Sequence, residues 1–360
     1  MKIALAHDHL FQIGGAETVL RHFTQMYPQA PLYTLICDQR GRSYLPQTDI
    51  RTSYLQRLAG DSNWFKYSLP LMPAAWERFD FSDYQVVLSS SSAFVKGIIT
   101  APEAVHITYC HSPIRYLWSD SHEYLEQLMV PKPVKLYLSL LFSRLRLADQ
   151  MASQRVNYFI ANSHFIAQRI KKYYQRDSVV IYPPVDVAKF QVVQHHDPFF
   201  LLISRLRPYK RVDLAIKAFN ALRLPLVIIG GGEEEARLKR LAKPNITFLG
   251  EVSDEVRNDY LSRCQALIHP QEEDFGITIV EAMASGRPVI AYGSGGATET
   301  VQPGVTGVFF TDQSWEALTY TVMNFRSSEF DPLLIRQQAE QFDSAIFRQK
   351  IASFITTVCH

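Results

Sequence analysis

The sequence predicts an α/β protein built from two successive modules, each a parallel sheet with helices on both faces. Short apolar runs of strand length recur along the chain, and each is followed by glycine-rich or polar residues and then by a stretch with helical periodicity. The pattern breaks once, at a proline pair and the polar tract behind it, and then starts again. A chain of 360 residues also usually forms more than one core.

The first module opens with a strand at 3–7, which leads to Gly14, Gly15 and an amphipathic helix. Further strands are predicted at 85–89, 105–110 and 158–161. The proline pair at 183–184 favours extended backbone, as a linker or a strand exit requires. We therefore assign residues 1–190 to an N-terminal module.

The second module, residues 191–341, repeats the pattern with a helix at 211–222 and a glycine run at 230–232. Its strands are predicted at 199–203, 226–229, 246–249, 266–269 and 289–291. Residues 342–358 are predicted to form a terminal helix. Because ligands bind beyond the carboxyl ends of parallel strands, we expect two substrates to meet in a cleft between the modules.

Composition excludes several classes of protein. Hydrophobic residues make up 47% of the chain, which excludes general disorder, and a net charge of +2 offers no case for nucleic acid binding. No apolar run is long enough for a membrane span, and the start of the chain lacks the apolar region of a signal peptide. Four scattered cysteines without a CxxC pair fit reduced thiols, so we expect a cytoplasmic protein.

The most specific motif lies at 273–281, where Glu273 and Glu281 bracket a Phe275–Gly276 turn that opens a helix. Free N–H groups around Gly276, Ile277 and Thr278 are suited to hold an anion. The two carboxylates can accept hydrogen bonds from sugar or ribose hydroxyls. The structural alternative is that acidic residues only complement the helix N-terminus.

Two cations follow the first strand of the second module. Arg205 and Lys210 lie five residues apart and suit a diphosphate leaving group, although a solvated basic loop is the alternative. Gly231, within the glycine run, would let the backbone approach a nucleotide, or the run is only a tight turn.

A histidine, His111, ends the strand at 105–110, where a lone histidine is more often a structural hydrogen-bonding group. The His7–Asp8–His9 sequence suggests a metal site at first sight. Alternation along a strand puts Asp8 opposite the two histidines, which weakens that interpretation. No Asp-x-Asp sequence occurs in the chain, so we predict a metal-independent reaction.

The 273–281 run resembles the E-x7-E signature of retaining GT-B glycosyltransferases, specifically glycosyltransferase family 4. The stretches 204–211, 14–17 and 293–296, with Glu299 beyond, are similar to further family motifs, so the resemblance covers nearly the whole chain. It implies two Rossmann-like domains facing across a cleft, with the donor mainly on the C-terminal one and the acceptor mainly on the N-terminal one. It also implies that the terminal helix, 342–358, packs back on the N-terminal domain.

The resemblance also implies roles for individual residues. Glu281 would accept from the ribose and Glu273 from the donor sugar, with His111 near the reacting carbon. Substitution would occur on one face of the sugar, through an oxocarbenium-like state. The implied catalytic residues are His111, Glu273, Arg205 and Lys210. The implied donor-binding residues are Gly14, Gly15, Arg205, Lys210, Gly231, Phe275, Gly276, Ile277, Thr278 and Glu281; neither a cofactor nor a metal is implied.

The tract 109–118 resembles bacterial mannosyltransferases of O-antigen and exopolysaccharide synthesis, which favours GDP-mannose as donor and a glycan or lipid-linked saccharide as acceptor. A UDP-sugar of the glucose or galactose type stays open, as does a catalytically silent sugar-nucleotide-binding protein. A nicotinamide dehydrogenase would need G-x-G-x-x-G, which is absent, and an epimerase of the same fold would lack the 273–281 arrangement.

The tract 133–146 combines cations with apolar side chains. It is either a helix packed in the N-terminal domain or a surface that meets anionic lipid head groups. Peripheral attachment at the inner membrane face therefore stays open.

Overall fold

Within residues 1–59, 66–128 and 130–359, the parts of the chain that the computed structural model describes, all strands belong to two parallel sheets. The chain divides into two units: Met1–Tyr182 together with the chain from Phe347 onward, and Pro183–Ile346. Each unit combines one sheet with helices, so the predicted α/β class with two Rossmann-like domains is confirmed.

The first unit contains a seven-stranded sheet. Its strands are β1 (Ile3–His7), β2 (Leu32–Thr34), β3 (Ile50–Thr52), β4 (Val86–Ser91), β5 (Val105–Cys110), β6 (Tyr158–Ala161) and β7 (Ser178–Val180). They lie in the order β3-β2-β1-β4-β5-β6-β7. The central strands β1 and β4 are buried along their whole length, because helices cover both faces of a parallel sheet.

The helices of the first unit connect these strands. They are α1 (Gly15–Met26), α2 (Gln39–Tyr44), α3 (Leu55–Ala59), α4 (Met72–Glu77), α5 (Ser121–Gln127), α6 (Lys132–Arg155) and α7 (His164–Tyr174). Short 3₁₀ helices lie at Lys66–Leu71 and Val95–Gly97. None of the helices in the described ranges combines the length and the apolar character needed to cross a bilayer.

The second unit contains a six-stranded sheet in the order β10-β9-β8-β11-β12-β13, built from β8 (Phe200–Ile203), β9 (Leu226–Ile229), β10 (Ile246–Gly250), β11 (Leu267–His269), β12 (Val289–Tyr292) and β13 (Gly307–Phe310). Its helices are α8 (Val212–Leu222), α9 (Glu235–Leu241), α10 (Asp254–Arg263), α11 (Ile277–Ala284), α12 (Ala297–Thr300), α13 (Trp315–Asn324) and α14 (Pro332–Glu340). Short 3₁₀ helices lie at Val187–Lys189, Pro208–Lys210 and Ser327–Glu329.

The boundary between the units lies at Tyr182, eight residues before the expected position at 190. The segment after the proline pair is tied into the second unit, where the Val185 N–H donates to Phe342 O at 3.0 Å. The Arg336 guanidinium likewise donates to Phe190 O at 2.9 Å. These two hydrogen bonds, one from the backbone and one from a side chain, join residues far apart in sequence, so no local pattern indicates them, and they place the boundary at the prolines.

The terminal helix α15 spans Ser344–Val358, two residues shorter at its start than expected. From Phe347 onward the chain belongs to the first unit, with Phe347, Ile351 and Ile355 buried in a core cluster there. The strands β2, β3 and β7 were not predicted, because three residues are too few to show a period. The four-residue strand β13 was not predicted either.

Candidate functional site

In the second unit, the 273–281 motif forms the loop after β11 and the start of α11. Gly276 precedes the helix with a φ of +88°, and a Cβ there would lie 2.9 Å from Ile279 Cδ1, so the turn requires glycine. Since α11 begins at Ile277, the N–H groups of Ile277 and Thr278 have no acceptor within the helix. The next one, Ile279 N–H, donates to Gly276 O at 2.9 Å.

The glycine-rich stretch at 293–296 supports this loop by packing against it. Gly296 N donates to Glu273 O at 2.8 Å, and Gly295 and Glu273 pair as in a parallel β-sheet, over this one residue pair. A Cβ on Gly296 would lie 2.4 Å from Phe275 Cα. The stretch therefore lets two backbone segments approach closely, a structural role that the sequence motif alone did not indicate.

Lys210 and Glu273 form an ion pair. The Lys210 ammonium lies in the 3₁₀ turn after β8 and donates to Glu273 Oε1; the two side chains are 14% and 20% exposed. Burial alone would raise the pKa of Glu273. The charges of Lys210 and His269 and hydrogen bonds from Lys210 and Gln271 outweigh burial and lower that pKa to about 2. Glu273 is therefore a carboxylate at neutral pH.

Two buried side chains behind this pair were missed by sequence reasoning. Gln271 Nε2 donates to Glu273 Oε1 at 3.2 Å, and it lies 3.4 Å from His269 Nδ1. Burial lowers the pKa of His269 to about 4, so its imidazole is neutral at pH 7. The sequence feature that could have identified these two residues is their position, at the end of β11 and directly before the motif.

Arg205 lies exposed on the loop after β8 that also carries Lys210. The structure pairs Lys210 with Glu273, whereas its neighbour Arg207 pairs with Glu233 at 3.3 Å. The diphosphate role of Arg205 and Lys210 stays a prediction.

The glycine run after β9 packs against the same loop. A Cβ on Gly230 would lie 2.0 Å from Ser204 O, and one on Gly232 would lie 2.4 Å from Leu206 O. Gly231 has only ordinary contacts at its Cβ position, the nearest being Glu251 Cγ at 3.5 Å. The tight turn therefore explains why glycine is needed at 230 and 232. Contact between Gly231 and a nucleotide stays a prediction.

Glu281, in α11, faces Arg257 from α10, with 3.4 Å between Oε1 and Nη2. Burial raises the pKa of Glu281, while the Arg257 charge opposes the rise and Asp254 adds to it. Arg257 was not singled out from the sequence, because helical charge patterns rarely show which carboxylate a cation meets. The proposed contact of Glu281 with ribose stays a prediction.

In the first unit, His111 directly follows β5. Its Nε2 lies 2.8 Å from Ser90 Oγ at the end of β4, and Asn162 Nδ2 donates to its carbonyl oxygen at 2.9 Å. Burial, reinforced by the nearby His7 and weakly opposed by Glu17, lowers the pKa of His111 to about 3. The ring is therefore neutral at pH 7. Ser90 and Asn162 were not identified from the sequence.

Gly14 and Gly15 lie where α1 begins. Gly14 is extended, with a φ of −164°, so its backbone does not require glycine. Gly15 is exposed at the first helical position. Their donor contacts stay a prediction.

Asp8 has a structural role, which the sequence analysis did not predict. Its carboxylate accepts from the backbone N–H groups of Ser92, Ala93 and Val95 at 2.7–2.8 Å. Asp8 thus holds the loop after β4 in place, while the neighbouring His7 bonds Ser90 and Glu17.

Comparison with known families identifies both halves of the chain. The family described as Glycosyltransferase Family 4 matches residues 13–189, and the family described as Glycosyl transferases group 1 matches residues 186–342. The two matches together extend over nearly the whole chain.

The chain is also similar to curated mannosyltransferases. It is 31% identical to O-antigen chain mannosyltransferase C of Escherichia coli over 54% of this chain and 56% of the relative. It is 29% identical to the alpha-1,3/1,6-mannosyltransferase ALG2 of Saccharomyces cerevisiae over 45% of this chain and 43% of the relative. The matches thus span about half the length of these relatives.

Among solved structures, the chain resembles that of Anabaena Alr3699/HepE in complex with UDP-glucose. The TM-score is 0.73 at 19% identity, covering 99% of this chain and 100% of the other. At that identity the likeness establishes the fold.

Proposed function

We propose that this chain, which belongs to glycosyltransferase family 4 and has the GT-B fold, transfers a hexose from a nucleoside diphosphate sugar to a hydroxyl of a glycan or lipid-linked saccharide, with retention of configuration. The observation that carries the proposal is the Lys210–Glu273 ion pair beside the first turn of α11. It places a cation, an ionised carboxylate and a helix N-terminus in one small region, a combination that suits a phosphorylated sugar.

The donor's diphosphate binds Lys210 and Arg205. As the bond to the sugar breaks, negative charge grows on the departing phosphate, and fixed cations stabilise this charge. The diphosphate competes with Glu273 for Lys210. Glu273 then offers its carboxylate oxygens to hydroxyls of the donor sugar.

The remaining steps follow from the same residues. Glu281 accepts from the ribose hydroxyls, and the N–H groups of Ile277 and Thr278 bind the donor at the start of α11. The departing phosphate oxygen takes the proton of the acceptor hydroxyl on the face that it leaves. Glycosidases differ because they use two carboxyl groups across the bond, a role that Glu273 and Glu281 do not take here.

The reaction needs no metal and no cofactor in this proposal. The cations of the loop after β8 supply the positive charge, and the chain contains no Asp-x-Asp sequence for a metal–diphosphate complex. Activity should therefore survive excess EDTA in a direct transfer assay. A loss of activity that Mg²⁺ or Mn²⁺ restores would contradict this.

The donor is GDP-mannose in this proposal, and the similarity to mannosyltransferases of Escherichia coli and Saccharomyces cerevisiae supports mannose as the sugar. A UDP-sugar is the second candidate, supported by the UDP-glucose complex of a protein with the same fold. A protein that binds the donor without turnover is the third candidate, and only a transfer assay distinguishes it.

A thermal-shift panel followed by a transfer assay tests the donor. At a hundredfold excess over Kd, a ligand that binds only the folded state adds about 2.7 kcal/mol to stability. Stabilisation by GDP and GDP-mannose with mannose transfer is expected, and the Lys210→Ala variant should lose the shift. Stabilisation by UDP-sugars alone would indicate that the donor is a UDP-sugar and not GDP-mannose. If none of the sugar nucleotides shifts the unfolding temperature, the enzyme proposal is overturned.

Helix α6 supports peripheral contact with a membrane that holds a lipid-linked acceptor. One face of the helix packs inward through Phe142, Leu145 and Asp149, while the opposite face is exposed. That face carries apolar side chains exposed by 59–65%, namely Leu136, Tyr137, Leu140, Leu147 and Met151. The cations Lys132 and Arg144 are also exposed on this helix. Apolar side chains flanked by cations fit the surface of an anionic bilayer.

A further inference from the structure

Gln271 is a buried side chain of the second unit that contacts the carboxylate of Glu273. It lies in the loop after β11 and is 3% exposed, and its Nε2 donates to Glu273 Oε1 at 3.2 Å. Lys210 donates to the same oxygen. The other oxygen of Glu273, Oε2, has no hydrogen bond to any residue in the described part of the chain. Both donors therefore converge on one carboxylate oxygen and leave the second one for a ligand.

Packing alone does not account for a glutamine at position 271. An ionised carboxylate only accepts hydrogen bonds, so the amide nitrogen of Gln271, and not its oxygen, must face Glu273. The amide oxygen, Gln271 Oε1, is buried and has no hydrogen-bond partner among the described residues. A buried polar atom without a partner costs stability, and an apolar side chain of similar size would avoid that cost. The hydrogen bond to Glu273 is what the glutamine adds.

We propose that Gln271 is a positioning residue that holds the Glu273 carboxylate through Oε1, so that Oε2 accepts a hydrogen bond from a hydroxyl of the donor sugar. This inference rests on the proposed function, in which the donor diphosphate competes with Glu273 for Lys210. Once Lys210 binds the diphosphate, Gln271 is the remaining hydrogen-bond donor to Glu273 among the residues that the structure describes. It then keeps the carboxylate from rotating away from the sugar.

The variant Gln271→Glu, which keeps the size and shape of the side chain, tests this hydrogen bond through pH. The new carboxyl faces Glu273, and because two carboxylates so close repel each other, the pair should hold one proton well above the usual glutamate pKa of about 4.3. In its protonated form the new carboxyl donates to Glu273 as the amide does. Transfer relative to wild type should therefore be low at pH 8 and rise about tenfold or more as the pH falls to 5.5.

Gln313→Glu is the matched control, because it adds the same charge beside the same loop without a contact to Glu273. Gln313 Nε2 donates to Pro270 O at 3.1 Å, and its Oε1 accepts from Arg211 at 3.1 Å. Since Arg211 gives the new carboxylate a cationic partner, transfer by this variant relative to wild type should not change with pH. A purely structural effect of the added charge predicts the same pH dependence for both glutamate variants.

Gln271→Leu removes the hydrogen bond and has no group that a proton could restore. Transfer should fall about tenfold or more, the change expected for roughly one hydrogen bond to a charged group, and should not recover at low pH. The thermal shift with the nucleoside diphosphate alone should be kept, because that ligand lacks the sugar that Glu273 binds. A general defect of the fold would reduce the thermal shift as well as the transfer rate.

Carbon-13 NMR of the full chain, labelled at the glutamate carboxyl groups, provides a readout without substrate. Gln271→Glu should show one added carboxyl signal that titrates above about 4.3. An added carboxyl that titrates at or below this value, or relative transfer that stays constant from pH 8 to 5.5, would overturn the inference. If the added carboxyl titrates at raised pH while the wild type transfers no sugar, the proposed function fails and the contact between Gln271 and Glu273 stands.

Discussion

Lys210 combines two tasks, because its ammonium pairs with Glu273 and is also the cation proposed for the donor diphosphate. The pairing keeps Glu273 ionised in a mostly buried position, where a lone carboxyl would otherwise favour its neutral form. Removing the lysine therefore removes a leaving-group contact and also changes the charge state of its neighbour.

Lys210→Ala should reduce transfer by about 10²–10³-fold, the size expected for loss of one preorganised donor to a developing anion. Arg205→Ala should also largely abolish transfer while the fold is kept. Initial-rate kinetics with the donor varied measure both effects.

Arg207→Ala is the matched control for both substitutions, because Arg207 is an exposed cation of the same loop that pairs with Glu233. It should be close to wild type. Near-normal turnover of Lys210→Ala would refute the diphosphate role.

Among the elements, the loop at 273–276 depends on a second loop for its shape. Gly296→Ala would bring a Cβ within 2.4 Å of Phe275 Cα and 2.7 Å of Asp274 O, both backbone atoms that cannot swing aside. We expect a loss of about 1–3 kcal/mol of stability and a clear loss of donor binding, measured by urea unfolding and by thermal shift with donor.

The control for this prediction lies in the same stretch. A Cβ on Gly293 would meet only ordinary contacts, the nearest being Phe309 Cβ at 3.5 Å. Gly293→Ala should therefore bind the donor normally. Equal effects of the two substitutions would show that the loop does not depend on the close approach at 296.

The exposed apolar side chains of helix α6 allow the membrane proposal to be tested by substitution. The double variant Leu136→Ser and Leu140→Ser removes two side chains that are 65% and 61% exposed. It should weaken binding to vesicles containing phosphatidylglycerol, measured by flotation, and leave thermal stability nearly unchanged. Binding of the wild type should fall as salt is raised.

Leu333→Ser with Leu334→Ser provides the comparison, because these leucines of α14 are also exposed, by 60% and 51%. They should have no effect on flotation. Equal loss in both double variants would indicate general hydrophobic adhesion and remove the support for α6.

At the scale of the whole molecule, three histidines whose pKa values are lowered in the folded protein link stability to pH. Burial lowers the pKa of His106 to about 3, of His111 to about 3 and of His269 to about 4. In the unfolded chain these groups titrate near 6.5. The unfolded state thus binds more protons below that pH, and stability should fall as the pH drops from about 6.5 toward 4.

Each neutral histidine contributes roughly 1.4 kcal/mol per pH unit in that window. Urea unfolding at pH 7.5, 6 and 5 measures the slope, and His106→Asn should make it shallower. Glu273 and Glu17 act in the same direction but at lower pH, because their pKa values are depressed and their contribution is lost only below about 4.5. A stability that stays constant from pH 7.5 to 5 would contradict neutral burial of the histidines.

Local pattern was sufficient to predict much of this protein. Strand-length apolar runs followed by glycines and helices predicted the α/β class, whereas the boundary expected at 190 lies eight residues earlier, at the proline pair. The spacing of Glu273 and Glu281 around a Phe–Gly turn located the loop and helix correctly. Each of these features depends on residues that are close together in the chain, so a short stretch of sequence is enough to predict it.

Tertiary structure alone decided which side chains meet. Lys210 and Glu273 are 63 residues apart, and Ser90 lies 83 residues from His7. Asp8 holds a loop 84 residues away. Each of these contacts depends on the order and register of parallel strands, which set neighbours across the sheet independently of distance along the chain. The sequence therefore determined the elements and the motif, whereas strand order determined the charge of Glu273 and the hydrogen-bond partner of His111.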